Sequence, residues 1–184
     1  MMRALACTLS ALALLAGGCQ QPTMEQMMAA PERPTQLDQL EPLVGSWEST
    51  GSMKMGEHTM SMTGKNTVGW ELDRRILVER MEGHSDEGDF KGLGVWVWDD
   101  SAKKFRVFWF DNMGGWAVGT VEHDPGDAEW EFRAKSKWPG GQTTAAIGTM
   151  TMDGNTMVWK HAEYTDDLAR NKIMAMEGTS RRVK

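Results

Sequence analysis

The sequence predicts an all-β fold, an antiparallel up-and-down barrel of about ten strands with one short N-terminal helix. Three observations predict it. From position 46 onward the chain divides into about ten runs in which apolar and polar residues alternate with period two, as in half-buried strands. Breaks rich in Gly, Asp and Asn separate those runs and are too short for a crossover helix, so every connection is a hairpin. A meander of that many strands keeps two bare edges unless it closes on itself.

The elements follow in order. Leu37, Leu40 and Leu43 recur at spacing three within 36–44, which fits one short helix broken near Pro42. Strands are predicted at 46–55, 58–71, 75–82, 89–98, 104–111, 115–123, 128–136, 142–152, 156–165 and 172–182. The clearest is 128–136: Ala128, Trp130, Phe132 and Ala134 face one way, while Glu129, Glu131, Arg133 and Lys135 face the other. Asp153-Gly154-Asn155 is a tight turn, Asp99 to Lys103 a longer hairpin loop, and Asp124-Pro125-Gly126-Asp127 a further turn. Gly64, Gly92, Gly94, Gly148 and Gly178 fall inside strands, where they are expected to mark bulges or sharp bends. Leu93–Trp98 and Phe105–Phe110 are apolar on both faces. Their outer face needs a cover, supplied by the leucine helix or by a second copy of the chain in a homodimer.

The N-terminus carries a different signal. Arg3 precedes an apolar run from Ala4 to Leu15, too short to span a bilayer. Ala16-Gly17-Gly18-Cys19 follows, and the whole resembles a bacterial lipoprotein signal. That resemblance implies cleavage after residue 18, lipidation of Cys19 and anchoring in the cell envelope. Gln20 behind the cysteine points to the outer membrane, facing the periplasm. Residues 19–35, rich in Gln, Pro and Met, read as a flexible tether, and 36–184 as the barrel domain. The formal charge of −6 argues against nucleic acid as a partner. Cys7 would leave with the signal and Cys19 would take the lipid, so no disulfide supports the mature domain.

Several segments, in this order, carry a resemblance: Leu43-Val-Gly-Ser-Trp-Glu48, Gly92 to Asp99, Lys104 to Asp111, Gly119 to Asp124 and Glu177-Gly-Thr-Ser-Arg-Arg182. Together they resemble the bacterial domain-of-unknown-function family numbered 1579, over about Leu40 to Arg182. The resemblance implies a lipocalin-like or nitrobindin-like barrel and no established activity.

A barrel of this strand number leaves room inside for a small ligand. The candidate lining is Trp96, Trp98, Trp130, Trp159, His161, Met150, Met152, Met174 and Met176. The chain has 16 Met and nine Trp, and Met adapts to irregular cavities while Trp offers flat walls with one polar handle. Met53/Met55, Met60/Met62, Met150/Met152 and Met174/Met176 stand at spacing two, so each pair shares a strand face. His58 shares the face of Met60 and Met62, which makes these three the candidate copper ligands, since thioethers suit Cu(I). His161 could ligate haem iron. The nitrobindin ligand, however, lies in the last strand, and 172–182 holds no histidine. Glu163 shares the face of His161. His58, His84 and His123 are expected to be solvated beside turns. No nucleophile elbow, P-loop, dinucleotide fingerprint or cysteine cluster is present. The reading is therefore a non-enzymatic envelope lipoprotein that binds a small apolar or amphipathic molecule. Its alternatives are copper or haem binding, or a structural interaction protein.

Overall fold

The computed structural model describes Thr23, Met24, Ala29 and residues 31–183. The signal segment, Cys19 and most of the tether lie outside the described residues. A 3₁₀ helix, Thr35–Leu43, precedes ten strands: β1 (Gly45–Met55), β2 (His58–Glu71), β3 (Ile76–Ser85), β4 (Gly88–Asp99), β5 (Lys104–Asp111), β6 (Trp116–Glu122), β7 (Glu129–Lys137), β8 (Thr143–Asp153), β9 (Thr156–Tyr164) and β10 (Lys172–Arg182). Each strand pairs antiparallel with the next, and β10 pairs with β1 to close the barrel. Trp47 opposite Arg182 and Met55 opposite Met174 fix that closing register.

Alternation sets the wall. Along β7, Trp130 and Ser136 are buried while Glu129, Glu131, Arg133, Lys135 and Lys137 are exposed. Strand limits fall within one residue of expectation except at β3, which runs through Gly83, His84 and Ser85 into a two-residue hairpin. The glycine at 83 reads as a stop in the sequence, yet it pairs normally with Phe90.

The helix plugs one end of the barrel. Leu37, Leu40 and Leu43 are almost fully buried against Leu77, Phe105, Val121, Trp130 and Met150, all inward residues of the wall. Burying three leucines there removes apolar area worth about 2 kcal/mol per side chain. Trp47 Nε1 donates to the Leu43 carbonyl at 2.9 Å, and Arg182 donates to the carbonyls of Pro42 and Val44 while stacking on Trp47 at 4.2 Å. On the β2–β3 corner, Leu72, Asp73 and Arg74 all have positive φ (47°, 55° and 63°), an arrangement non-glycine residues adopt only when held. The hold is visible. The Arg74 guanidinium bonds Glu41 of the helix at 2.6 Å, its carbonyl accepts from Arg33 at 2.7 Å, and both arginines lie over Trp70.

Two expectations are corrected. Because the helix fills the barrel end, it does not cover the outer face of β4–β6. There Leu93, Phe110, Trp116 and Val118 remain 36–48% exposed. Nor do the strand glycines mark bulges, since the one register shift among the described strand pairs lies between Lys172 and Met174. Gly92, Gly148 and Gly178 are seats for large side chains. A Cβ at Gly148 would stand 1.9 Å from Phe132, at Gly178 2.4 Å from Trp159, and at Gly92 2.1 Å from Trp109.

Candidate functional site

The lumen has three levels. Nearest the helix plug is the packed core just described. Above it lies a cavity of about 50 Å³, room for a few non-hydrogen atoms. Trp47, Trp96, Met150 and Met157 supply its apolar walls. Asn66 of β2, Glu79 of β3 and Ser180 of β10 are its polar groups.

Asn66 and Glu79 occupy inward positions where the alternation calls for apolar residues. Asn66 Nδ2 donates to Glu79 Oε1 at 2.6 Å. Its Oδ1 is buried with no partner. Burial pushes the Glu79 carboxyl above the ordinary carboxylate range, and the Asn66 bond only partly offsets this. Gly94 lets the carboxyl lie against β4, since a Cβ there would sit 3.3 Å from Oε2. Ser180 Oγ accepts from Trp159 Nε1 at 3.2 Å and shares a 2.7 Å bond with Ser49 Oγ.

The third level is the mouth opposite the helix. Met53 stands opposite both Met60 and Met176, and Met176 opposite His161. Residues directly opposite on one face are neighbours, so three methionines and a histidine form one row. Beside them a satisfied polar cluster centres on Glu163, 4% exposed. It accepts from Ser136 at 3.0 Å, from Thr144, and pairs with His161 Nε2 at 3.0 Å. Burial would raise the Glu163 carboxyl. The bonds from His161, Thr144 and Ser136, with the His161 charge, more than offset it and hold the group below its ordinary value.

The nine candidate lining residues separate by level. Trp96 and Met150 line the cavity, and Trp159 lies over Gly51 and Gly178 at its edge. Trp98, Trp130 and Met152 belong to the packed end. Met174, Met176 and His161 lie towards the mouth. Sequence reasoning missed Asn66, Glu79 and Ser180. The signal was present, a polar residue at an inward phase of a clean alternation. The copper candidates do not converge, because His58 is exposed and ion-paired with Glu87 at 3.0 Å while Met60 faces Met53. Haem does not fit His161 either: its Nε2 is bonded to Glu163 and its ring stacks on Phe132 at 5.5 Å, where a porphyrin would need space. Among the described residues no group of three or more His, Cys, Asp or Glu is placed to hold a metal. His123 is not solvated as expected. It stacks on Trp130 at 3.8 Å, donates to the Asp127 carbonyl at 2.9 Å and meets the Gln39 side chain at 3.1 Å.

These features define a closed ten-stranded barrel, plugged at one end, with a small, mainly apolar cavity that holds three polar groups, and a methionine-rich mouth. The chain belongs to the family described as Protein of unknown function (DUF1579), which matches residues 33–182. No match was found among curated proteins. Among solved structures, Rv2717c from M. tuberculosis is similar with a TM-score of 0.66 at 11% identity, covering 83% of this chain and 100% of that one. Its likeness shows the shared fold. A redesigned β-barrel, mFAP0, bound to DFHBI matches at a TM-score of 0.43 and 12% identity, covering 77% of this chain and 99% of that one. A further DFHBI-bound chain, EF1p2_mFAP2b, matches at 0.42 and 15% identity, covering 78% and 95%.

Proposed function

We propose that this protein is a non-catalytic envelope lipoprotein whose barrel binds a small amphipathic molecule, polar head inward and apolar tail among the methionines. One observation carries the reading: a small cavity inside the barrel is lined by a carboxyl with no cationic partner, and by an amide oxygen with no partner at all, among the described residues. Buried polar atoms in native proteins are almost always satisfied, so an orphan beside a cavity marks a group that a bound molecule completes. The cavity alone is smaller than a typical ligand pocket, which spans roughly 300–1,000 Å³. The tail therefore extends towards the mouth past Gly64, where Met81 packs, displacing flexible Met side chains.

Cys19 would hold the domain at the membrane, in the periplasm. The exposed apolar face of β4–β6 would supply the contact of a homodimer. Binding is tested by adding octan-1-ol, a neutral amphiphile, to the purified protein. Trp47 and Trp96 line the site, so indole emission shifts on filling it, and an unchanged spectrum up to the solubility limit contradicts the reading. Anchoring is tested by Cys19→Ser, which moves the protein from the membrane fraction to the soluble fraction.

A further inference from the structure

The reading of the cavity as a ligand site leaves open what kind of head it takes, and the donor and acceptor inventory of its wall narrows this. Glu79 offers Oε2, since Oε1 already accepts from Asn66. Asn66 Oδ1 is a second acceptor, buried and unpartnered. Ser180 Oγ, when it donates to Ser49 and accepts from Trp159, keeps one lone pair as a third. All three residues border the same small space, so each of the three acceptors belongs to a lining side chain.

We propose that the cavity receives a primary ammonium group, the cationic head of an amphipathic amine, held by Glu79, Asn66 and Ser180. An ammonium has three N–H donors and no acceptor, which matches the wall group for group. An alcohol donates once and leaves two acceptors bare. A carboxylate donates nothing and brings a second negative charge against Glu79. The charge balance agrees. Among the described residues no cation acts on Glu79, whose environment consists of burial and the Asn66 bond. Arg182, near the same end, is committed to two carbonyls and to the face of Trp47. Trp96 gives the site one indole wall, a favourable neighbour for a cation.

The test compares three probes of one chain length on the full-length protein by indole-fluorescence titration: n-octylammonium, octan-1-ol and octanoate. Octylammonium is expected to bind at least about tenfold more tightly than octanol, the scale of a charge-assisted hydrogen bond, and octanoate most weakly. Glu79→Gln, which keeps the shape, brings octylammonium down to the octanol affinity measured on the same variant. Asn66→Ser removes the second acceptor and weakens octylammonium selectively, which keeps the test open if the Glu79 variant folds poorly. Equal affinity for the three probes, as expected of a cavity with no preference for charge, overturns the proposal. So does an octylammonium affinity indifferent to Glu79→Gln in a folded variant. In both cases octanol binding still upholds the ligand site itself. Failure of all three probes overturns the site and its head group together.

Discussion

Two glutamates point into this barrel, and their surroundings are opposite. Glu163 accepts hydrogen bonds from Ser136 and Thr144 and pairs with His161, so the cost of its burial is more than offset and its carboxyl is held below the ordinary range. Glu79 has one donor, Asn66, and its carboxyl is pushed up. The lesson is about completeness. A polar group that the fold satisfies is part of the wall. One that the fold leaves half-satisfied, beside a space, is the place where the proposed guest would bind.

The contrast can be broken most forcefully at the satisfied end. Glu163→Ala leaves the His161, Ser136 and Thr144 groups without their acceptor inside the wall, and urea unfolding is expected to show a loss of about 3 kcal/mol. A loss below about 1 kcal/mol would mean that the cluster is not the structural element described. Next in size is the wall between the two sites. Gly148→Ala drives a Cβ against Phe132 and the Lys160 carbonyl, so an overpacking cost of about 1–3 kcal/mol is expected in the same assay. A neutral result would show that Phe132 can vacate its seat freely.

The pH dependence separates the carboxyls by sign. A depressed carboxyl contributes stability that is present above its unfolded value near 4.5 and fades as pH falls through the lower folded value. The difference between wild type and Glu163→Gln should therefore be full at neutral pH and vanish in acid. A raised carboxyl does the reverse: the folded state loses stability as pH rises from 4.5 through the folded value. Glu79→Gln should accordingly gain on wild type as pH rises, and parallel curves for the two variants would refute the contrast. The smallest effect belongs to the mouth. Met176→Leu conserves volume in a flexible rim and should shift stability by less than about 1.5 kcal/mol. A larger loss would reveal a packed mouth instead of an adaptable one.

The fold was legible because alternation and turn residues are local. Trp130 and Phe132 against Glu129, Glu131 and Arg133 name a strand face without knowledge of any neighbour. Closure followed from strand count and edge avoidance. What lay beyond reach depended on contacts across the barrel. Gly148 and Gly178 look like breaks in a strand, and only the rings of Phe132 and Trp159 laid on them reveal seats. His123 looks like a turn residue, and only the folded chain brings Trp130 beneath it. Methionine and tryptophan drew attention as candidate lining by abundance, yet several of them fill the packed end. Asn66 and Glu79 are one polar residue each on separate strands, and their meaning arises when β2 and β3 place them side by side over a space.

The most direct measurement is the unfolding free energy of Glu79→Gln beside that of Glu163→Gln, at neutral pH and without added ligand. The account predicts that the first is as stable as wild type or more so, while the second is clearly less stable. Comparable destabilisation by both would contradict it, because Glu79 would then be a structural residue and the cavity beside it would have no claim to a guest.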